Sequence, residues 1–329
     1  MNANRNTVIS KSITYAKAVA GFVCRTSHAP GGPAAVMIEP TNVCNLKCPL
    51  CAAGSHSLKR PIGRMSLQDF ERIIDGLPPS VKELYLWGQC EPFMAPEFLK
   101  MVGYASSRGF RTIVSTNGHF LDNPEEIILS NLYKLIVSLD GVDAQTYASY
   151  RVGGDFNRVV EGLQRLAEMK KQKARGPVLE LQSLVTRENQ SGIPAFRTLA
   201  ETLGVDRVVF KTMQVISLKD DSSYLPENKN HTRYHITSDG ALETDRYWYL
   251  KNRCLRLYYS FQIDWQGNVL PCCFDKDSEY ILGNVFRDPV KQIWNAEEYR
   301  NFRNMVNTRG RILDMCKNCT EGLKRMTIR

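Results

Sequence analysis

The 329-residue chain has no run approaching the roughly 20 apolar residues that a membrane-crossing helix needs. It has no export signal either, because the apolar stretch from Ala16 to Cys24 is short and broken by Lys17. No zinc-finger, helix-turn-helix or aromatic–basic RNA-binding pattern occurs. The net charge of +9 therefore does not call for nucleic acid, and it fits an anionic substrate or surface. Its one dense basic run, Lys170-Lys171-Gln172-Lys173, reads as a solvated helix face. No repeat at a solenoid period is present. These absences lead us to expect a cytoplasmic protein with no transmembrane segment. Residues 8–24 carry a modest apolar stripe that suits a helix capping the bottom of the fold, or a peripheral contact with a membrane or partner.

What the chain has in excess is cysteine, ten in all. Cys44, Cys48 and Cys51 fall within eight residues, five more lie between 254 and 319, and only Cys24 and Cys90 stand apart. In a cytosolic chain such clusters bind metal more often than they form bridges.

From Val36 onward, short apolar runs alternate with amphipathic stretches. The runs are Val36–Glu39, Leu84–Trp87, Thr112–Ser115, Leu135–Leu139, Val178–Val185 and Val208–Phe210. Helical patterns lie between them, near 66–77, 95–108, 123–131, 155–173 and 190–203, with Ser66 as the expected N-cap of the first. Six strand–helix units predict a parallel α/β sheet, either an open doubly wound sheet or a barrel. The pattern changes near 215. A polar, aromatic segment follows, then a hairpin turned at Gln266-Gly267-Asn268, a helix near 289–306 and Cys316-Lys317-Asn318-Cys319. The expected organisation is an N-terminal helical segment over 1–35, a core domain over 36–215 and a second domain over 216–329.

The triplet reads Cys-x3-Cys-x2-Cys, just past the first strand. Structural zinc wants four closed ligands. Three thiolates in one tight loop, with no histidine inside it, suit a cubane cluster with one iron left open to a substrate or cofactor.

The triplet, preceded by Glu39-Pro40-Thr41-Asn42, resembles the signature of the radical S-adenosylmethionine (SAM) enzymes. Further segments agree in order: Gly88-Gln89-Cys90-Glu91-Pro92 after the second strand, Ser115-Thr116-Asn117-Gly118 after the third, Ser138-Leu139-Asp140-Gly141 after the fourth, and then Tyr150-Arg151-Val152-Gly153-Gly154. The resemblance implies a partial six-strand β/α barrel of the TIM type. It implies that Cys44, Cys48 and Cys51 ligate a [4Fe-4S] cluster whose fourth iron chelates SAM. Glu91 and its neighbours Gln89 and Cys90 would meet the SAM amino group, which needs an acceptor. Ser138 and Asn117 would face the cofactor, and the planar guanidinium of Arg151 would pair with its carboxylate. Cys90 departs from the family, which usually has glycine there. Each of these residues also has a plainer reading. Glu91 suits a helix N-terminus, Ser138 a strand end, Arg151 a surface ion pair, and Asn117 and Asp140 turns.

Cys254, Cys272, Cys316 and Cys319 resemble the short, Twitch form of the SPASM auxiliary domain, which holds a second [4Fe-4S] cluster. A tetrahedral zinc site also wants four thiolates, and Cys273 competes with Cys272 as ligand. Four protein ligands leave no open iron, so the resemblance implies an electron relay. A reduced first cluster would split SAM to a 5′-deoxyadenosyl radical, the radical would take hydrogen from the substrate, and the auxiliary cluster would accept an electron from the resulting substrate radical. No catalytic residue is assigned; Arg246, Tyr247 and Tyr249 are general-base candidates in the second domain. The expected function is a radical SAM oxidoreductase acting on a small, sugar-like or lipid-linked molecule, served by a flavodoxin- or ferredoxin-type reductant. A peptide or protein maturase is the alternative, although only about 35 residues precede the barrel, few for a peptide-recognition domain. A non-catalytic iron–sulfur carrier or scaffold and a zinc-dependent binding module are readings of other classes.

Overall fold

The computed structural model describes residues 2–215, 222–247, 250, 252–319, 321, 323, 324 and 326–328. Helix α1 (Asn2–Cys24) precedes six strands: β1 (Ala35–Ile38), β2 (Glu83–Tyr85), β3 (Arg111–Thr116), β4 (Lys134–Ser138), β5 (Val178–Val185) and β6 (Arg207–Thr212). Between them run α2 (Leu67–Asp75), α3 (Phe98–Ser107), α4 (Pro124–Leu129), α5 (Ala144–Ala148), α6 (Phe156–Lys173) and α7 (Ile193–Thr202). The six strands pair in parallel and in chain order. Ser66 caps α2 by accepting from Asp69 N–H at 3.0 Å, as its place before the apolar periodicity suggests.

Side-chain alternation along the strands sorts the two faces. Val36, Ile38, Leu84, Val114, Leu135, Val137, Leu179, Leu181 and Phe210 belong to one buried core with Phe70, Met101, Val159, Leu163, Leu166 and Phe196 of the helices. The opposite, concave face carries Met37, Tyr85, Ser115, Gln182, Leu184 and Lys211, all half-buried. Helices thus shield one face of the sheet, and the other is left for chemistry.

The sheet extends further than six strands. Beyond 222 come β7 (Tyr234–Ile236), β8 (Leu242–Thr244), β9 (Ser260–Ile263), β10 (Val269–Leu270), α8 (Val290–Ile293), α9 (Glu297–Arg309), α10 (Asp314–Lys317) and β11 (Thr327–Ile328). The hairpin at Gln266-Gly267-Asn268 forms, with Val269 opposite Ile263. Its first strand also lies parallel to β1, with Met37 opposite Gln262. At the far edge β11 runs antiparallel to β6. The order is β10-β9-β1-β2-β3-β4-β5-β6-β11, an open α/β barrel rather than a closed one. The sheet therefore runs across the division expected near 215. The hairpin is legible from its turn, but nothing local in it points to β1 as a neighbour, and the two-residue β11 has no period to read. The helix expected over 289–306 is two, broken after Ile293 and resumed at Glu297.

Candidate active site

The cysteine triplet sits on the loop between β1 and α2, at the carboxyl ends of the strands, where α/β barrels place their chemistry. Asn42 closes the base of this loop. Its Oδ1 accepts from Gly63 N–H at 2.9 Å and its Nδ2 donates to the Pro61 carbonyl at 2.8 Å. Thr41 Oγ1 adds a bond to the Gly63 carbonyl at 2.8 Å. Lys47 N–H donates to the Val152 carbonyl at 2.9 Å, which ties the triplet to the turn carrying Arg151. Leu46 and Cys48 are buried with Tyr150, Met213, Val215, Leu225, Tyr234 and Leu242, and Cys44, Cys51 and Leu184 pack against this group. Burial pushes the Cys48 thiol up to about 11 and raises Cys44 as well. Ligation must therefore release protons, as thiolate binding to metal does.

The residues expected around SAM gather beside the triplet, and most are partly engaged by the fold. Glu91 is buried and accepts from Thr116 Oγ1 at 2.8 Å, Asn117 N–H at 2.7 Å and Phe93 N–H at 3.2 Å. It therefore caps the short 3-10 turn Pro92–Met94, as its plainer reading has it. A carboxylate offers about four lone-pair sites, so about one is left for an ammonium. Burial pushes Glu91 up to about 7, against those three bonds. Asn117 donates from Nδ2 to Asn45 Oδ1 at 2.7 Å and to Cys44 Sγ at 3.9 Å. Arg151 donates from Nε to Asp140 at 2.6 Å, and Asp140 in turn accepts from Leu184 N–H at 2.6 Å. Burial opposes the charge of Arg151, yet Asp140 and Cys48 beside it carry its pKa above the usual arginine value. Ser138 ends β4 with its side chain buried on the concave side. Cys90 is half-buried; Gln89 offers its backbone N–H to Glu39 at 2.8 Å.

Two residues near the site, His119 and Arg60, were not picked out from the sequence, and Glu39 was read only as part of the motif before the triplet. His119 Nε2 accepts from Asp155 N–H at 2.8 Å, so the proton sits on Nδ1, 3.0 Å from Asn117 Oδ1. Burial lowers its pKa, which keeps that neutral tautomer. His119 thus fixes the amide that touches Cys44. Glu39 and Arg60 form a buried pair at 2.6 Å, and Arg60 also donates to the Lys276 carbonyl at 2.7 Å. A Cβ on Gly88 would come within 2.2 Å of Glu39 Oε2, so only glycine fits there. Arg60→Met should leave Glu39 buried and unpaired, costing about 3–5 kcal/mol. Urea unfolding of the apoprotein measures this, and a loss under about 1 kcal/mol would mean the pair is solvated.

At the other end of the chain, Cys254, Cys272, Cys316 and Cys319 line one cavity of about 210 Å³. A concave space of this volume ringed by four thiols suits a bound group. Among the described residues no three His, Cys, Asp or Glu side chains close around a single metal ion. Four thiols around one cavity are the donor set that either a tetrahedral zinc ion or a [4Fe-4S] cluster takes. Burial pushes Cys316 up to about 12. Cys273 faces a different cavity of about 200 Å³, on the barrel side, with Met37, Tyr85, Trp87, Arg256 and Gln262; Cys272 lines both.

Arg246, expected as a base candidate, is otherwise occupied. Its guanidinium donates to Cys319 Sγ at 3.5 Å and to the carbonyls of Cys319 at 2.6 Å, Lys317 at 3.1 Å and Glu321 at 2.6 Å. A group that only donates and never loses its proton in proteins cannot take one up. Tyr247 is exposed, and Tyr249 lies outside the described residues. Asn318, inside the Cys-x2-Cys turn, accepts from Tyr234 Oη at 2.5 Å and donates to the Val215 carbonyl at 2.5 Å. Tyr234 and Val215 belong to the apolar group around Cys48, so one packed unit connects the two cysteine sets.

Comparison with known proteins agrees with this geometry. Residues 38–179 match the Radical SAM superfamily, and residues 254–320 match SPASM, an iron-sulfur cluster-binding domain. The AdoMet-dependent heme synthase of Nitratidesulfovibrio vulgaris is 25% identical over 330 residues, covering 87% of each chain. The mycofactocin maturase MftC of Mycobacterium ulcerans is 26% identical, covering 87% of this chain and 81% of that one. Among solved structures, Streptococcus suis SuiB bound to S-adenosylmethionine superposes with a TM-score of 0.64 at 15% identity, covering 88% of this chain and 73% of that one; the likeness is one of fold. The chain belongs to the radical SAM superfamily, with a C-terminal SPASM domain, and its cofactors are a [4Fe-4S] cluster, S-adenosylmethionine and further iron–sulfur in the SPASM domain.

Proposed function

We propose that this radical SAM enzyme carries out a two-electron oxidation of a small molecule bound on the concave face of the barrel, with the auxiliary cluster as electron acceptor. The observation that supports the reading is the cavity lined by Cys254, Cys272, Cys316 and Cys319, which we read as the ligand set of the auxiliary cluster. When bound, the cofactors supply a 5′-deoxyadenosyl radical at one end and an electron acceptor at the other.

The chain's own residues do the rest. Cys44, Cys48 and Cys51 hold the first cluster. Glu91 and Arg151 bracket the amino acid part of SAM, each with part of its hydrogen-bonding capacity already used to fix its orientation. Asn117 and Ser138 complete that wall, and Gln89 and Cys90 shape its approach. Tyr85 and Trp87, edge to face at 5.3 Å, form an aromatic wall on the concave side. The cavity beside them, about 200 Å³, suits a small substrate more than a folded polypeptide.

Lys211 is the proton acceptor in this reading. It lies on the concave face opposite Leu184, which packs against the triplet's apolar group. Burial pushes its pKa below the usual lysine value, Glu180 opposes that shift and Lys134 adds to it. Glu180 is itself paired to Lys134 at 3.1 Å. Lys211→Met should lower substrate turnover about a hundredfold and leave 5′-deoxyadenosine formation intact. Equal loss of both would make Lys211 a structural residue.

Arg246 should raise the potential of the auxiliary cluster, since hydrogen bonds and positive charge at cluster sulfurs favour the reduced state. Arg246→Gln is expected to move its midpoint downward in an EPR-monitored redox titration, with no shift in the other cluster. Peptide modification is the second reading, favoured by the likeness to MftC. Anaerobic assay against candidate small molecules tests the proposal. One oxidised product per 5′-deoxyadenosine supports it, and turnover of peptides alone sinks it.

A further inference from the structure

Over residues 12–24, helix α1 has a buried side and an exposed side. Thr14, Ala18 and Gly21 are buried on the protein, where Tyr258 stands so close that a Cβ on Gly21 would meet its ring at 2.6 Å. At 3.6 residues per turn, Ile13, Ala16, Ala20 and Val23 form a stripe on the far side, with Val19 beside it. Ile13 is 52% exposed, Val19 36% and Val23 56%, an unusual concentration for one helix face. Lys17 is exposed and lies at the border between the two faces. The charge of the surrounding sequence is one-sided. No Asp or Glu occurs before Glu39, whereas Arg5, Lys11, Lys17 and Arg25 are all basic. Near the end of the helix the guanidinium of Arg253 sits 5.8 Å from the Phe22 ring, adding another cation.

We propose that α1 is a peripheral docking helix for an anionic lipid surface. Ile13, Ala16, Val19, Ala20 and Val23 enter the headgroup boundary, and Lys17 meets lipid phosphates alongside. An apolar arc flanked by lysine is the arrangement that interfacial helices use. Anionic headgroups supply the countercharge that the helix lacks, and each basic residue near such a surface strengthens attachment. A second copy of the chain suits this face less well, because two such helices would bring lysines together with no acid on either to match them. The helix lies beside the amino ends of β1 and β9, so docking leaves the carboxyl ends of the strands open. The inference is independent of the proposed reaction.

Sedimentation of the full-length holoprotein with vesicles tests it. The protein should pellet with phosphatidylcholine vesicles containing phosphatidylglycerol, much less with phosphatidylcholine alone, and less again at high salt. Val19→Glu with Val23→Glu should reduce the bound fraction at least about tenfold, and Lys17→Glu should weaken it further than added salt does to the wild type. Both variants should retain SAM cleavage, which shows that they fold. Failure of the wild type to pellet with anionic vesicles at low salt would overturn the proposal. So would a wild-type dimer that Val19→Glu with Val23→Glu converts to monomer without any vesicle binding, since the face would then be a self-interface.

Discussion

Cys48→Ala is expected to reduce 5′-deoxyadenosine formation from SAM by at least about a thousandfold, while iron falls from about eight to about four per chain. The effect is large because the triplet has no spare. Three thiolates leave the fourth position to SAM, so losing one leaves a cluster with two protein ligands. The thiol nearest in sequence to this site, Cys90, is held on a backbone whose next residue, Glu91, donates its N–H to the Val43 carbonyl at 2.8 Å. Cys48 is also packed among Leu46, Tyr150 and Met213, so alanine there opens a gap in an apolar group. The fold itself should survive, because the large core between the sheet and its helices does not include this residue. Circular dichroism and iron–sulfide analysis would check this together. Retained SAM cleavage in a folded Cys48→Ala protein would refute the assignment of the triplet.

Cys316→Ala with Cys319→Ala should separate two activities that the wild type couples. Formation of 5′-deoxyadenosine should continue within about threefold, and substrate oxidation should fall about a hundredfold, the upper range for losing a metal-site partner. The triplet loop is braced by Asn42, by Asn117 with His119 behind it and by the Val152 turn, and none of these depends on the two thiols. A radical formed without an acceptor on this chain returns without product. Among the described residues Asn318 links the two sites, through its bonds to Tyr234 and Val215 of the triplet's packing group. Asn318→Ala with the cysteines intact controls for it. If that variant alone stops SAM cleavage, coupling between the sites is mechanical; if both variants oxidise substrate normally, the acceptor role is wrong.

Much of this site was legible because cysteine spacing and strand-end motifs are local in sequence. Cys44, Cys48 and Cys51 share one loop, and the residues near Glu91, Asn117, Ser138 and Arg151 each follow a strand, so a β/α repeat brings them to one rim. The apolar runs gave all six core strands, since their buried faces demand Val, Ile and Leu at regular intervals. Other features were not local. Nothing in Gln262 announces that it lies beside Met37, and two-residue strands such as Val269–Leu270 have no period to read. Nothing local separates Cys272 from Cys273 in the sequence; only the fold shows that Cys272 lines the cavity of Cys254, Cys316 and Cys319 while Cys273 lines the one on the barrel side. Arg246 reads from the sequence as a base candidate, and only its place around the Cys-x2-Cys turn shows what it bonds. His119 gave no signal either, because its role depends on Asp155 and Asn117 closing on its ring from two sides.

In the proposed assignment one cluster site is open to SAM and the other is closed by four thiolates. EPR spectroscopy of the anaerobically reduced wild-type protein, recorded with and without SAM, tests it most directly. Two cluster signals are expected, of which SAM changes one, and that one alone disappears in Cys48→Ala. A spectrum in which SAM changes neither signal, or changes the one that survives in Cys48→Ala, would contradict it.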